Sequence, residues 1–291
     1  MDMRMLDAHR ATATTPVGDI SYVDVGDGPT ALFVHGVGTN AYLWRNVVGG
    51  LPDRRCIALD LPAHGRSPAG PDQDLSLGGL AGAVLGLCDA LGLDDIDLVG
   101  NDTGGGVAQI VAARAPERLR SLALTNCEAH DNVPPEAFRP TVDLARAGGL
   151  APTAPALLAD LAAARATVFA MGYESTDQPP LDVVDAYLRP VLGTPEAART
   201  FERLLAGLDP ADLLAAEPAL RRLTVPTLVV WGTGDAFFDV RWAHWLRDTI
   251  PGVTEVVELD GARLFFPDER AGDLVPLLAR HWASIASPAP R

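Results

Sequence analysis

With 291 residues, 48% of them apolar, the chain is long enough to bury one large core, as α/β folds of this size do. The formal net charge of −15 argues against nucleic acid or an anionic membrane as a partner. All 23 basic residues are arginine, which removes Schiff-base and pyridoxal chemistry and leaves cofactor-free, metal-free catalysis on a small molecule as the expectation. No basic-then-apolar leader opens the chain, and no apolar run approaches the ~20 residues needed to span a bilayer, so a cytoplasmic location is expected. A homodimer is left open. Cys56, Cys88 and Cys127 lack metal-ligand spacing and read as reduced packing residues.

In chain order, a hairpin is expected from Ala11–Thr15 and Ile20–Val25 around Pro16-Val17-Gly18-Asp19. Thr30–Val34 is a buried-strand run ending in His35-Gly36-Val37-Gly38, and Cys56–Asp60 is a second, followed by Leu61-Pro62-Ala63-His64-Gly65-Arg66-Ser67. Leu75–Leu91 has helical period. Ile96–Val99 runs into Gly100-Asn101-Asp102-Thr103-Gly104-Gly105-Gly106, with a helix expected from Val107 to Arg114, stopped near Pro116. Leu122–Thr125 is the next strand. From residue 134 to 222 strand signals vanish, and alanine- and leucine-rich helical spacing takes over. Strand character resumes at Pro226–Trp231, followed by Gly232-Thr233-Gly234-Asp235, and the last strand is Val253–Leu259. Alternating strands and helices imply a largely parallel sheet covered on both faces. The expected division is a core of residues 1–133 and 223–291 and an inserted helical cap of 134–222.

The segment around Asp102 has the form of a nucleophile elbow with aspartate in place of serine. A strand that reverses into a helix within about two residues holds its central residue under strain and needs small neighbours, which Gly100, Gly104 and Gly105 supply. Together with the His35-Gly36 loop, Tyr42-Leu43-Trp44-Arg45-Asn46 and Arg55-Cys56-Ile57-Ala58, this resembles the α/β-hydrolase fold superfamily, in its haloalkane dehalogenase and epoxide hydrolase branch. The resemblance implies that Asp102 is the nucleophile, that the Val37 and Thr103 amides form the oxyanion hole, and that Asp235 is the acid of the triad. Asn126 stands at the alternative acid position, where some dehalogenases carry glutamate.

The chain departs from that pattern at Leu264, where relatives carry the triad histidine. Dehalogenases also hold the departing halide with tryptophan and asparagine where this chain has Thr103 and Val37. Of the six histidines, His130 is the best replacement base, because it leaves a strand at the sheet edge where α/β folds place ligands. His244 is read as following a strand, between Trp242 and Trp245. Phe169, Tyr173 and Phe238 are candidate substrate contacts, with core packing as the plainer reading for each. Asp102 is expected at the base of an apolar pocket beneath the cap. Three classes of function follow: a hydrolase acting on an apolar small molecule with an atypical triad, a non-hydrolytic isomerase or cyclase using Asp102 as acid or base, and a catalytically dead ligand-binding homologue.

Overall fold

The computed structural model describes residues 1–286. Eight strands form one sheet in the order β1-β2-β4-β3-β5-β6-β7-β8. They are β1 Arg10–Thr15, β2 Gly18–Val25, β3 Thr30–Val34, β4 Arg55–Leu59, β5 Ile96–Asp102, β6 Leu119–Cys127, β7 Thr227–Gly232 and β8 Val253–Leu259. β2 runs antiparallel to β1 and β4, and every pair from β4 to β8 is parallel. This is the α/β-hydrolase architecture. The hairpin is tighter than expected, since Thr15 already faces Gly18 across the turn.

The central strands are buried on both faces, which is why they read as continuous apolar runs rather than alternating ones: β5 and β7 have no residue exposed. β6 starts three residues earlier than its apolar run suggests, because Leu119 pairs with Ile96 at the foot of β5. Helices Leu77–Leu91 and Ala271–Ala286 cover the sheet, and those from Arg139 to Leu220 lie between β6 and β7 in sequence. His244 lies within helix Arg241–Thr249, correcting its placement after a strand, and its Nε2 is 3.2 Å from Glu258 Oε1.

The larger correction is at the elbow, where the helix begins at Thr103, four residues before the expected Val107. Helix propensity disfavours Gly104-Gly105-Gly106. Steric demand overrides it: a Cβ on Gly104 would lie 2.3 Å from Val34 O, and one on Gly105 2.3 Å from Cys127 Cβ. The glycines let the helix start sit directly against β3 and β6.

Among the described residues no helix is long and apolar enough to cross a membrane, and no cluster of side chains could hold a metal ion. The three cysteines are buried and free, and burial pushes the Cys56 and Cys88 thiols up to about 12. A thiolate is the reactive form. A chromogenic disulfide reagent is therefore expected to find no thiol in the native protein and three after denaturation; rapid native labelling would contradict this packing.

Candidate active site

Asp102 ends β5 and caps the following helix with φ 55° and ψ −135°, a backbone conformation that an L-residue adopts only when its surroundings enforce it. Its side chain lies against Gly36, where a Cβ would fall 2.1 Å from Asp102 Oδ2. The Val37 and Thr103 amides lie beside its carboxyl group and favour its charged form. These are the two amides expected of the oxyanion hole.

Two buried histidines fix that loop. His35 Nε2 accepts from Leu61 N at 2.9 Å, and His64 Nε2 accepts from Gly38 N at 3.2 Å. Their Nδ1 atoms face the carbonyls of Gly36 and Pro62, which puts the proton on Nδ1 in each. Burial pushes His35 down to about 4 and, with His35 beside it, His64 down to about 3, so both stay neutral props.

Leu264 is buried, and the loop that carries it is fastened to the inserted segment. Phe265 N donates to Gly172 O at 2.8 Å, and Arg263 Nη1 donates to Ala170 O at 3.0 Å and Tyr173 O at 2.9 Å. Asn101 Nδ2 donates to Leu264 O at 3.1 Å, tying the loop to the elbow strand. Asp235 sits after β7, half-buried, accepting from Phe237 N at 2.8 Å and Asn126 Nδ2 at 2.7 Å. Asn126 is thus no acid but a second support for Asp235. Burial lifts that carboxyl to about 6.

His130 is not brought to this group. Its Nδ1 lies 2.7 Å from Glu217 Oε2 and its ring packs 5.1 Å from Trp245, turned towards helices Ala211–Leu220 and Arg241–Thr249. The strand-end position was legible in sequence; a partner 87 residues away was not. It makes no hydrogen bond to Asp102 or Asp235.

Phe169, Tyr173 and Phe238 are buried among neighbours: Phe169 packs 5.7 Å from Tyr187, Tyr173 packs 5.0 Å from Phe265, and the Phe238 carbonyl accepts from Trp231 Nε1 at 2.8 Å. Tyr173 also donates its hydroxyl to Asp268 at 3.0 Å. None of the three lines the four described cavities, and neither does Asp102, which is only 8% exposed. One cavity of about 400 Å³ does reach a candidate residue, running beside Asp235 with Asn132, Phe237 and Trp242.

The residue that sequence reasoning passed over is Glu128. It follows β6, is 1% exposed, and its Oε1 accepts from Thr103 Oγ1 at 2.8 Å. Burial lifts it from 4.5 to about 7, and burial, then Glu128, then Asp235 raise Asp102 well above the usual carboxylate range. The available signal was an acidic residue between Cys127 and Ala129, in a run otherwise leaving a buried strand.

The chain belongs to the α/β-hydrolase fold family, whose model matches residues 29–270. It is 30% identical over 264 residues to haloalkane dehalogenase 2 of Mycobacterium tuberculosis, covering 87% of each chain. It is 29% identical over 246 residues to a pimeloyl-[acyl-carrier protein] methyl ester esterase of Chromobacterium violaceum, covering 78% of this chain and 84% of that one. Among solved structures it superposes on the haloalkane dehalogenase DbeA of Bradyrhizobium elkani with a TM-score of 0.79 and 25% identity, covering 95% of this chain and 98% of the other. The epoxide hydrolase CorEH matches with a TM-score of 0.78 at 21% identity, over 95% and 99% of the two chains, a likeness of fold.

A carboxyl group whose proton affinity is raised by folding stabilises the fold below its unfolded value and stops doing so as pH rises through the folded one. For Glu128 that window runs from 4.5 to about 7. Glu128→Gln is expected to gain stability relative to the wild type as pH rises from 4.5 to about 8. Denaturant melts at both pH values measure it; a difference independent of pH would contradict the burial of an ionisable Glu128.

Proposed function

We propose that the chain is a cofactor-free hydrolase of the epoxide hydrolase and haloalkane dehalogenase type, in which Asp102 attacks a carbon atom of an apolar small molecule. The observation that carries this is the pair of amides on the Asp102 carboxyl group. Val37 and Thr103 lie beside an aspartate set on a strained elbow, which places donors where an ester's tetrahedral intermediate would put its charge. Homologues that are dehalogenases and esterases support a hydrolase of this fold.

An epoxide fits better than an alkyl halide. With Thr103 and Val37 at the places where dehalogenases grip the halide, and the Thr103 hydroxyl committed to Glu128, little here would stabilise a departing anion. In ring opening, a bond forms from Asp102 Oδ to carbon, the ring C–O bond breaks, and the freed oxygen takes a proton from water, leaving hydroxide to the solvent. Hydrolysis of the resulting ester needs water activated by a base, and Leu264 cannot move a proton. We therefore read the ester as long-lived. The helices between residues 134 and 222 act in this reading as a cap over the site, with Phe169 and Tyr173 at its floor.

A second reading is favoured by the crowding of Asp102, Glu128 and Asp235 with, among the described residues, no cation bound to Asp102 or Glu128. In it Asp102 keeps its proton and donates it to an epoxide or alkene, giving an isomerised or cyclised product of unchanged mass.

Two outcomes separate these readings. Incubation with styrene oxide is expected to add one epoxide mass to the wild type, mapped to Asp102 by peptide mass spectrometry and absent from Asp102→Ala. Leu264→His is expected to clear that adduct at least ~10-fold faster, short of the 10²–10⁴ typical of a well-placed base, because Arg263 adjoins the new imidazole and Asn126 already occupies Asp235. No adduct, with a product of unchanged mass, would replace the covalent reading by the acid one.

A further inference from the structure

Three buried carboxylates elsewhere in this protein are provided with arginine, and a fourth, Glu202, accepts from the amides of Leu150 and Ala151. Asp60 has Arg10 at 2.7 Å, Asp268 has Arg45 at 2.8 Å, and Asp97 has both Arg54 and Arg120. That is what burying an ionised carboxylate requires, since an unpaired charge in a low-dielectric interior costs several kcal/mol, of order. Glu128 is provided with less than any of these: no cation meets it among the described residues, and its Oε2 is buried with no hydrogen-bond partner.

Its placement is nonetheless tightly built. Gln109 Nε2 donates to the Glu128 backbone carbonyl at 2.7 Å, and Gly106 has no side chain to push it away, a Cβ there falling 3.3 Å from Glu128 Cβ. Thr103 joins it to the elbow: it follows Asp102 directly at the start of the helix, and its hydroxyl donates to Glu128 at 2.8 Å. One residue thus links the two buried acids, in a place where, among the described residues, neither has a cation.

We propose that Glu128 is a positioning residue for the chemistry of Asp102: bridged by Thr103, the two carboxyl groups share a single negative charge, and loss of the last shared proton sets Asp102 free to react. This rests on the reading of Asp102 as the reacting group. Two like charges at one dry site cannot both ionise easily, so the pair titrates in two linked steps rather than as two independent acids.

The groups facing the pair do not undo this. From β6 comes the Cys127 thiol, kept neutral by burial. From beyond β7 comes Asp235, a third negative group whose nearby cation, Arg263, is bound to the carbonyls of Ala170 and Tyr173. His35 and His64 on the oxyanion side are neutral. Helix Ala211–Leu220 presents Leu213 to Gly106, beside Glu128, and its Glu217 is taken up by Arg221 and His130. The sign follows: neutralising Glu128 removes repulsion, and Asp102 ionises at lower pH.

The test is a ¹³C NMR titration of protein labelled at its aspartate and glutamate side-chain carboxyl groups, with Asp102→Asn and Glu128→Gln assigning the two signals. Asp102 is expected to titrate at least one pH unit lower in Glu128→Gln, a tenfold loss of proton affinity, while the glutamine still accepts from Thr103. Thr103→Val, which deletes the bridging hydroxyl, is expected to move the Glu128 step to higher pH, and serves if Glu128→Gln does not fold. The styrene oxide labelling rate should follow the Asp102 step, so the glutamine variant labels faster at low pH. An Asp102 titration unmoved by Glu128→Gln overturns the proposal whether or not any epoxide reacts. A shifted titration with no labelling at Asp102 upholds the charge-sharing pair and removes the nucleophile reading instead.

Discussion

The placement of Asp102 against two backbone amides depends on how closely three pieces of main chain approach one another. The elbow helix must start at Thr103 for that residue's N–H to point at the carboxyl group, and it can start there only because Gly104 and Gly105 let it touch β3 and β6. Gly36 completes the arrangement from the opposite side, since a side chain there would occupy the space of the Asp102 carboxyl group. Neutral His35 and His64 then hold the Gly36–Gly38 turn by accepting backbone N–H bonds. Strain at Asp102 is sustained by packing on all sides, which is how a fold retains a backbone conformation costing roughly 1–3 kcal/mol.

The two ends of β5 treat acidity in opposite ways. At its start Asp97 is paired with Arg54 and Arg120 and accepts from the Ser121 hydroxyl; at its end Asp102 meets Glu128 and Asp235 and, among the described residues, no arginine. The first arrangement holds the sheet together and is chemically quiet. The second stores unfavourable electrostatic energy at the sheet edge where α/β proteins bind their ligands, and perturbed acids gathered there are the physical mark of a site that handles protons or electrophiles. In the absence of a histidine at position 264, no imidazolium is present to relieve that repulsion, and Asn126 and Thr103 take over the hydrogen bonding instead.

Much of the framework could be read in the chain because it depends on local patterns. Val253–Leu259 and Thr30–Val34 appear as strands with the expected bounds, since apolar runs between turn residues carry their own limits. The elbow was legible from Gly100, Asp102, Gly104 and Gly105. What was missed depends on contacts distant in sequence. The helix start at Thr103 is a packing decision made by Val34 and Cys127, His130 is claimed by Glu217, and the aromatic residues of the inserted segment close on Phe265. Glu128 escaped notice because a single glutamate after a strand ordinarily faces water; only the fold puts it in the core beneath the Thr103 hydroxyl.

The claim on which the account turns is that the carboxyl group held by Val37 and Thr103 is the one that bonds to substrate. A crystal structure of the wild type soaked with a small aryl epoxide tests it most directly. The account predicts continuous density from one Asp102 oxygen to a ligand carbon, with the other oxygen still within hydrogen-bond reach of the two amides. Ligand bound there without a bond to Asp102, or bonded to Glu128 or Asp235, would contradict it.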